Sequence, residues 1–252
     1  MVGPQSAIAP ELIQLLRAAK RIAVLTGAGI SAESGVPTFR DAQTGLWANY
    51  KPEDLATPEA FQRNPKLVWE WYAWRRERVQ SVTPNPGHLS LVEMERHVPE
   101  FTLITQNVDN LHQRAGSKNI IELHGNISRV KCFEQNHPVS DWHESSEVPP
   151  QCAVCGGRLR PDVVWFGENL PEGAFEQALQ ATEDCNVFFS IGTSTLVYPA
   201  ASLPFAALER GATIIEINPD STDLTPRATY SFRARSGEFL PRLVCAVWPA
   251  AA

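Results

Sequence analysis

The stretch Leu25-Thr-Gly-Ala-Gly-Ile-Ser-Ala-Glu-Ser-Gly-Val-Pro-Thr-Phe-Arg-Asp41 decides the reading of the fold. It closes an apolar run, Ile22-Ala-Val-Leu25, of the length and composition of a buried strand. Gly27 and Gly29 carry no Cβ, so a phosphate can approach the backbone closely there. A helix opening directly afterwards would aim free N–H groups and the positive end of its dipole at a pyrophosphate. The spacing departs from the usual dinucleotide fingerprint, because the next glycine after Gly29 is Gly35. A plain strand-to-helix turn accounts for the same glycines. Beyond it, Phe39 and Arg40 put an aromatic ring and a cation in the following loop.

Working outward, the same short apolar pattern recurs at residues 101–105, 187–191 and 213–217, each followed by polar or glycine-containing sequence. Helical spacing marks residues 11–20, 66–80, 88–95, 174–181 and 200–210. Buried strands alternating with helices predict an α/β fold with a parallel sheet covered on both faces. Two segments break the alternation. Residues 45–95 are helical and rich in tryptophan, and residues 128–165 hold clustered cysteines, prolines and little periodicity. Both read as insertions that could pack together as a second, smaller domain. The main sheet then takes residues 1–44, 96–127 and 166–252.

With 43% hydrophobic and 20% charged residues, the 252-residue chain has an ordinary globular composition and enough apolar content for a sizeable core. No uncharged apolar run approaches the ~18 residues of a membrane span. Residues 1–10 lack the pattern of a secretory signal, so a cytoplasmic protein with no membrane partner is expected. A net charge of −6 argues against a general phosphate-backbone binder, so nucleic acid is not an expected partner. The five cysteines read as thiols rather than a disulfide framework. Three of them, Cys132, Cys152 and Cys155, fall within 24 residues, whereas Cys185 and Cys245 sit beside apolar runs and are expected in the core.

Three more segments end predicted strands at the side where parallel sheets bind ligands. Gln106, Asn107 and Asp109 suit ribose hydroxyls and an amide-bearing base, and they also suit an Asx turn. His124, between an apolar run and Gly125, could be a general base at neutral pH or a packed histidine. Gly192, Thr193 and Ser194, and then Asn218, offer small side chains and hydrogen-bonding groups that an ordinary loop would also carry. A hydride-transfer dehydrogenase is disfavoured, because neither a GxGxxG spacing nor an acidic residue closing a second strand about 20 residues on is present.

Together the blocks GAGISAESGVPTFRD, TQNVDNLH, LHGN, VVWFGE and GTSTLVYPAA, in order over residues 15–245, resemble the sirtuins, the NAD-dependent protein-lysine deacylases. The resemblance implies a Rossmann-like large domain and a small domain combining a helical insertion with a zinc ribbon. NAD and an acylated-lysine protein would meet between them. It implies attack of the acyl amide oxygen on C1′ of the nicotinamide ribose and loss of nicotinamide. His124 then takes a proton from a ribose hydroxyl, and O-acyl-ADP-ribose and free lysine are released. It assigns Gly27, Ala28, Gly29, Ala32, Phe39 and Arg40 to the cofactor, with Phe39 over the reactive carbon and Arg40 by the phosphates. Gln106, Asn107 and Asp109 would face the nicotinamide and its ribose. Gly192, Thr193, Ser194, Asn218 and Ser236 would complete the cofactor site, Ser236 at the adenine. Val164, Trp165, Phe166 and Gly167 would line the peptide channel. Gly167 and Glu168, with Val197 and Tyr198, would flank the substrate as an added strand. A protein ADP-ribosyltransferase of the same superfamily is the alternative. A non-catalytic NAD-binding module would predict loss of His124 or Asn107, and both are present.

Tyr72 and Arg75 lie three apart and so share a helix face. On spacing alone they read as part of a solvated basic helix with Arg76 and Arg78. Their place and pattern are similar to the Tyr-x-x-Arg signature of the desuccinylase-type, class III sirtuins. That resemblance implies a pocket for succinyl or malonyl groups, with deacetylation as a second activity, because an arginine can grip a carboxylate with two donors. The family's zinc ribbon normally supplies two CxxC pairs. Here Cys152-Ala-Val-Cys155 is intact, but Cys132-Phe-Glu-Gln135 ends in glutamine. The expected ligands are Cys132, Cys152 and Cys155. His137, His143 or a water could complete a structural zinc site, and the other reading is a small domain held by packing alone.

Overall fold

The central strands of the main sheet carry buried residues at successive positions because both faces are covered. The computed structural model describes residues 8–36, 50–143 and 147–249. Among these the strands are β1 (Arg21–Thr26), β2 (Glu100–Thr105), β3 (Ile120–Glu122), β4 (Gly125–Cys132), β5 (Pro138–Val139), β6 (Leu159–Val163), β7 (Val187–Ile191), β8 (Thr213–Ile217) and β9 (Tyr230–Phe232). The helices are α1 (Pro10–Ala18), α2 (Ala28–Ala32), α3 (Pro52–Leu55), α4 (Pro58–Arg63), α5 (Pro65–Ser81), α6 (Pro86–His97), α7 (Leu111–Ala115), α8 (Ala174–Asp184), α9 (Leu203–Glu209) and α10 (Ser236–Val247).

Six strands form a parallel sheet in the order β3-β2-β1-β7-β8-β9. Successive residues of β1 point to opposite sides. Ile22 and Val24 join a core with Leu12, Leu16, Leu91, Met94, Leu240 and Leu243 from α1, α6 and α10. Ala23 and Leu25 join another with Ala178 of α8 and Leu203 and Ala207 of α9. The architecture is therefore the α/β sheet with helices on both faces that the sequence predicts. From β1 the chain first adds β2 and β3 on one side, then crosses to β7 on the other. The gap between the ends of β1 and β7 is thus a topological switch point, where open α/β sheets bind ligands.

A second sheet, antiparallel in the order β5-β4-β6, is packed against α3, α4 and α5. Helix α5 buries two faces. Val68, Trp71, Tyr72 and Val79 pack with Phe61, Ile127, Val163 and Trp165. Trp69 packs instead with Val130, Cys132, Cys152 and Leu159. Helix α6 behaves differently from the helices before it, since its Leu91 and Met94 belong to the core of the main sheet. Asn85 caps it, with its side chain accepting from Gly87 N–H at 2.8 Å.

Cys185 is buried, as expected, and burial pushes its thiol up to about 11. Cys245 is exposed, which corrects the expectation for it. Helix α10 turns Leu240, Leu243, Val244 and Val247 inward at helical spacing, and Cys245 falls on the opposite side. Among the described residues, no helix is long and apolar enough to cross a membrane.

Candidate functional site

The floor of the site is three backbone segments locked together at the switch point. Gly27 N–H donates to Ile191 O at 3.0 Å, Gly29 N–H to Gly192 O at 2.9 Å, and Gly192 N–H to Ile217 O at 3.0 Å. A Cβ on Gly29 would stand 2.6 Å from Gly192 Cα, and one on Gly27 would stand 2.7 Å from Gly192 O. Gly192 has φ +60°, and its own Cβ would meet Ile30 N at 2.6 Å. Helix α2 opens directly after Gly27, with Ala28 and Ala32 exposed on it.

Polar side chains from the ends of β2, β7 and β8 converge on this floor. Gln106 Nε2 donates to Thr193 Oγ1 at 3.0 Å, and Asn218 Nδ2 donates to Thr193 O at 2.8 Å. Asn107 Nδ2 donates to Gly27 O at 3.0 Å and to Ser31 Oγ at 3.2 Å. Asp109 is buried and accepts from Leu111 N–H at 2.9 Å, so the Asx-type turn that the sequence allowed is also present. Burial holds its carboxyl above the usual range, and a hydrogen bond from Ser31 works against that. Ser194 is exposed beside Thr193.

His124 sits between β3 and β4, half-buried. Its Nδ1 lies 3.1 Å from Gln106 O. A carbonyl only accepts, so Nδ1 carries the proton and Nε2 keeps its lone pair. Burial lowers the ring's pKa, partly offset by the Gln106 carbonyl, and the ring is neutral at pH 7. His124 O accepts from Val164 N–H at 2.9 Å, which ties the histidine to the segment containing Trp165.

Trp165 Nε1 donates to the buried Tyr72 Oη at 3.0 Å. One turn along α5, the Arg75 guanidinium lies 4.8 Å from the centre of the Trp71 ring and 5.7 Å from that of Tyr72. Burial lowers the Arg75 pKa, while Tyr72 and the Asp109 carboxylate support its charge. Arg160 stacks on Trp165, 3.3 Å from its ring centre, and bonds both Glu168 oxygens. Phe166, Val197 and Tyr198 are exposed, and a Cβ on Gly167 (φ +86°) would meet nothing within 4 Å.

Phe39 and Arg40 lie outside the described residues. Ser236 is buried at the start of α10, and its hydroxyl donates to Glu33 at 3.2 Å, next to Gly237 N–H at 2.8 Å on the same oxygen. Sequence reasoning did not single out Ser31, which links Asn107 and Asp109, or two buried histidines behind it. His112 Nε2 meets Thr26 Oγ1 at 3.0 Å, and Thr26 Oγ1 in turn donates to Thr105 Oγ1 at 2.9 Å. His88 lies 4.8 Å from His112, ring to ring, with Nε2 at 3.5 Å from Ser31 Oγ. Thr26 and Thr105, polar residues closing apolar strands, were the available signal.

In the small sheet, Cys132 Sγ lies 3.5 Å from Cys155 Sγ, and Cys152 Sγ lies 3.3 Å from His137 Nε2. The donor atoms of Cys132, His137 and Cys152 are all within 4.8 Å of one another. Zn–S bonds of about 2.3 Å and Zn–N bonds of about 2.0–2.1 Å make tetrahedron edges of about 3.8 Å for S···S and about 3.6 Å for S···N. The cluster fits a structural zinc, and thiolates with imidazole are a donor set that zinc favours.

A family model described as the Sir2 family matches residues 27–199. An NAD-dependent protein deacylase of Aquifex aeolicus (strain VF5) is 54% identical over 223 residues, covering 88% of this chain and 93% of that protein. The crystal structure of a Sir2 homolog–NAD complex has a TM-score of 0.90 at 47% identity, covering 98% of this chain and 96% of that chain. A Sir2–p53 peptide–NAD+ structure has a TM-score of 0.81 at 30% identity, covering 94% and 97%.

Proposed function

The chain belongs to the Sir2 family and is an NAD-dependent protein deacylase; from that premise we propose that it prefers lysine acyl groups ending in a carboxylate, succinyl and malonyl, over acetyl. The observation that carries the preference is the Tyr72–Arg75 pair: Tyr72 Oη accepts from Trp165 Nε1 at 3.0 Å, and the Arg75 guanidinium lies 5.7 Å from the centre of the Tyr72 ring. Trp165 donates to Tyr72 Oη, which leaves the phenolic hydrogen to be given to an acyl group. Arg75 supplies a cation already removed from much of its water. A carboxylate reaching it would gain a charge-assisted bond in low dielectric, whereas an acetyl methyl gains nothing there.

NAD, when bound, supplies an electrophilic ribose carbon with nicotinamide as its leaving group. The residues around the switch point are suited to hold it. The turn at Gly27, Ala28 and Gly29, with Ala28 exposed at the start of α2, would take the phosphates, and Gln106, Asn107 and Asp109 would present amides and a carboxylate to a ribose and a carboxamide. His124 Nε2 would accept a proton from a ribose hydroxyl, with Nδ1–H held by Gln106 O. The acylated protein backbone would lie along the exposed edges at Gly167–Glu168 and Val197–Tyr198 as an added strand. In this reading the large sheet with α6 lies on one side of the crevice, and α3, α4 and α5 with the small sheet lie on the other.

Comparison of kcat/KM on succinyl- and acetyl-lysine peptides of one sequence tests the preference. A higher value for succinyl is expected, and a higher value for acetyl would overturn it.

A further inference from the structure

We propose that His137 is the fourth ligand of a Cys3His zinc centre, replacing the thiol that is absent at Gln135. The proposal is independent of the acyl preference. It rests on a repeat in the backbone. Cys132 O accepts from Asn136 N–H at 3.0 Å, and Cys152 O accepts from Gly156 N–H at 2.8 Å. The residue four beyond each cysteine is left-handed, Asn136 at φ 53° and Gly156 at φ +73°. Cys132 N–H donates to His137 O at 2.9 Å, and Cys152 N–H donates to Gly157 O at 2.6 Å. The two loops are therefore equivalent residue by residue, Gln135 standing where Cys155 stands and His137 where Gly157 stands.

In the second loop the residue before the left-handed one is Cys155, whose Sγ lies 3.5 Å from Cys132 Sγ. In the first loop that place holds an exposed, neutral carboxamide. The donor moves two residues along. A Cβ on Gly157 would meet the Glu134 carboxylate first and stand 3.2 Å from Cys155 Sγ, so this loop position faces the side of the cluster that Glu134 and Cys155 share. An imidazole is longer than a thiol and can reach the centre from there. His137 Nε2 does so, at 3.3 Å from Cys152 Sγ. Its rivals are worse placed. His143 is 90% exposed and paired with Asp141, and Glu134 is turned to Arg158 at 3.1 Å with its other oxygen 3.9 Å from Cys132 Sγ.

The experiment uses the full chain, purified without added zinc, with metal content by mass spectrometry, affinity by chelator competition and a cobalt(II)-substituted spectrum. The wild type should hold one zinc per chain and show a tetrahedral cobalt spectrum with three sulfur ligands. His137→Ala should weaken zinc binding beyond the 10–100-fold typical of losing an outer partner. Adding Gln135→Cys to His137→Ala should restore the metal and raise the sulfur-to-cobalt absorption in the ratio of four thiolates to three. Unchanged zinc affinity and spectrum in His137→Ala would overturn the assignment. So would a zinc-free wild type, a comparable loss in Glu134→Gln but not in His137→Ala, or failure of the double variant to regain metal.

Discussion

In the proposed function His124 is the base and Arg75 the carboxylate clamp, and each makes a separate prediction. Because burial lowers the His124 pKa, the acid limb of the pH–rate profile should fall below the 6.5 of a free imidazole. Activity is full above that limb and is lost as pH falls through it; a limb at or above 6.5 would contradict a buried neutral base. His124→Tyr should remove NAD-dependent deacylation of succinyl and acetyl peptides alike, by about 100-fold or more, followed by mass spectrometry of the peptide. Arg75→Met should reduce kcat/KM for succinyl-lysine by roughly 10- to 100-fold, the size of one charge-assisted bond, and that for acetyl-lysine much less. Equal losses on both peptides would remove the carboxylate clamp. At this scale the sequence was informative wherever a polar residue follows a strand, as Gln106, Asn107 and Asp109 do after β2, and these side chains do meet the turn at Gly27 and Thr193 or close a turn of their own. It was silent about Ser31, His88 and His112. Their partners lie far along the chain, and only folding places Ser31 beside Asn107 and His88 beside His112.

The decisive element is the interlocked turn at the ends of β1, β7 and β8. Gly192→Ala puts a Cβ 2.6 Å from Ile30 N at a left-handed φ, and nothing there can move without breaking the Gly29–Gly192 bond. We expect it to cost about 2 kcal/mol or more, a fall in Tm of at least about 4 °C, with weaker NAD binding by calorimetry. A variant with unchanged Tm and NAD affinity would contradict the account of this turn. Strands β1, β2, β7 and β8 were legible because burial on both faces leaves a short, mostly apolar run. Helix α5 was legible as a helix, but its two cores were not, since tryptophans and arginines alternate around it. The small sheet was not legible at all. Strand β6 is Leu159-Arg-Pro-Asp-Val163, and its pairing with β4 is established by residues about 30 positions away. Strand β9 and helix α10 also went unread, although Leu240, Leu243, Val244 and Val247 carry helical spacing, because Pro241 interrupts the pattern.

For the whole molecule, buried polarity behind the site links stability to pH. Burial depresses the pKa of His88 from 6.5 to about 4. Between those values the unfolded chain binds a proton that the folded protein does not. The stabilisation is complete above pH 6.5 and is lost as pH falls towards 4. Urea unfolding should show about 2 kcal/mol less stability at pH 5 than at pH 7 from this group alone, and His88→Gln should flatten that slope. An unchanged slope would contradict a neutral buried His88. In the proposed function NAD binds at the switch point of the parallel sheet, and the helical and cysteine-bearing insertions supply the acyl side. The most direct test is to incubate the protein with adenosine-labelled NAD and a succinyl-lysine peptide and to weigh the products. Equal amounts of nicotinamide, free lysine peptide and labelled O-succinyl-ADP-ribose are predicted. Label attached to protein, with the peptide still succinylated, would contradict the account and favour ADP-ribosyl transfer.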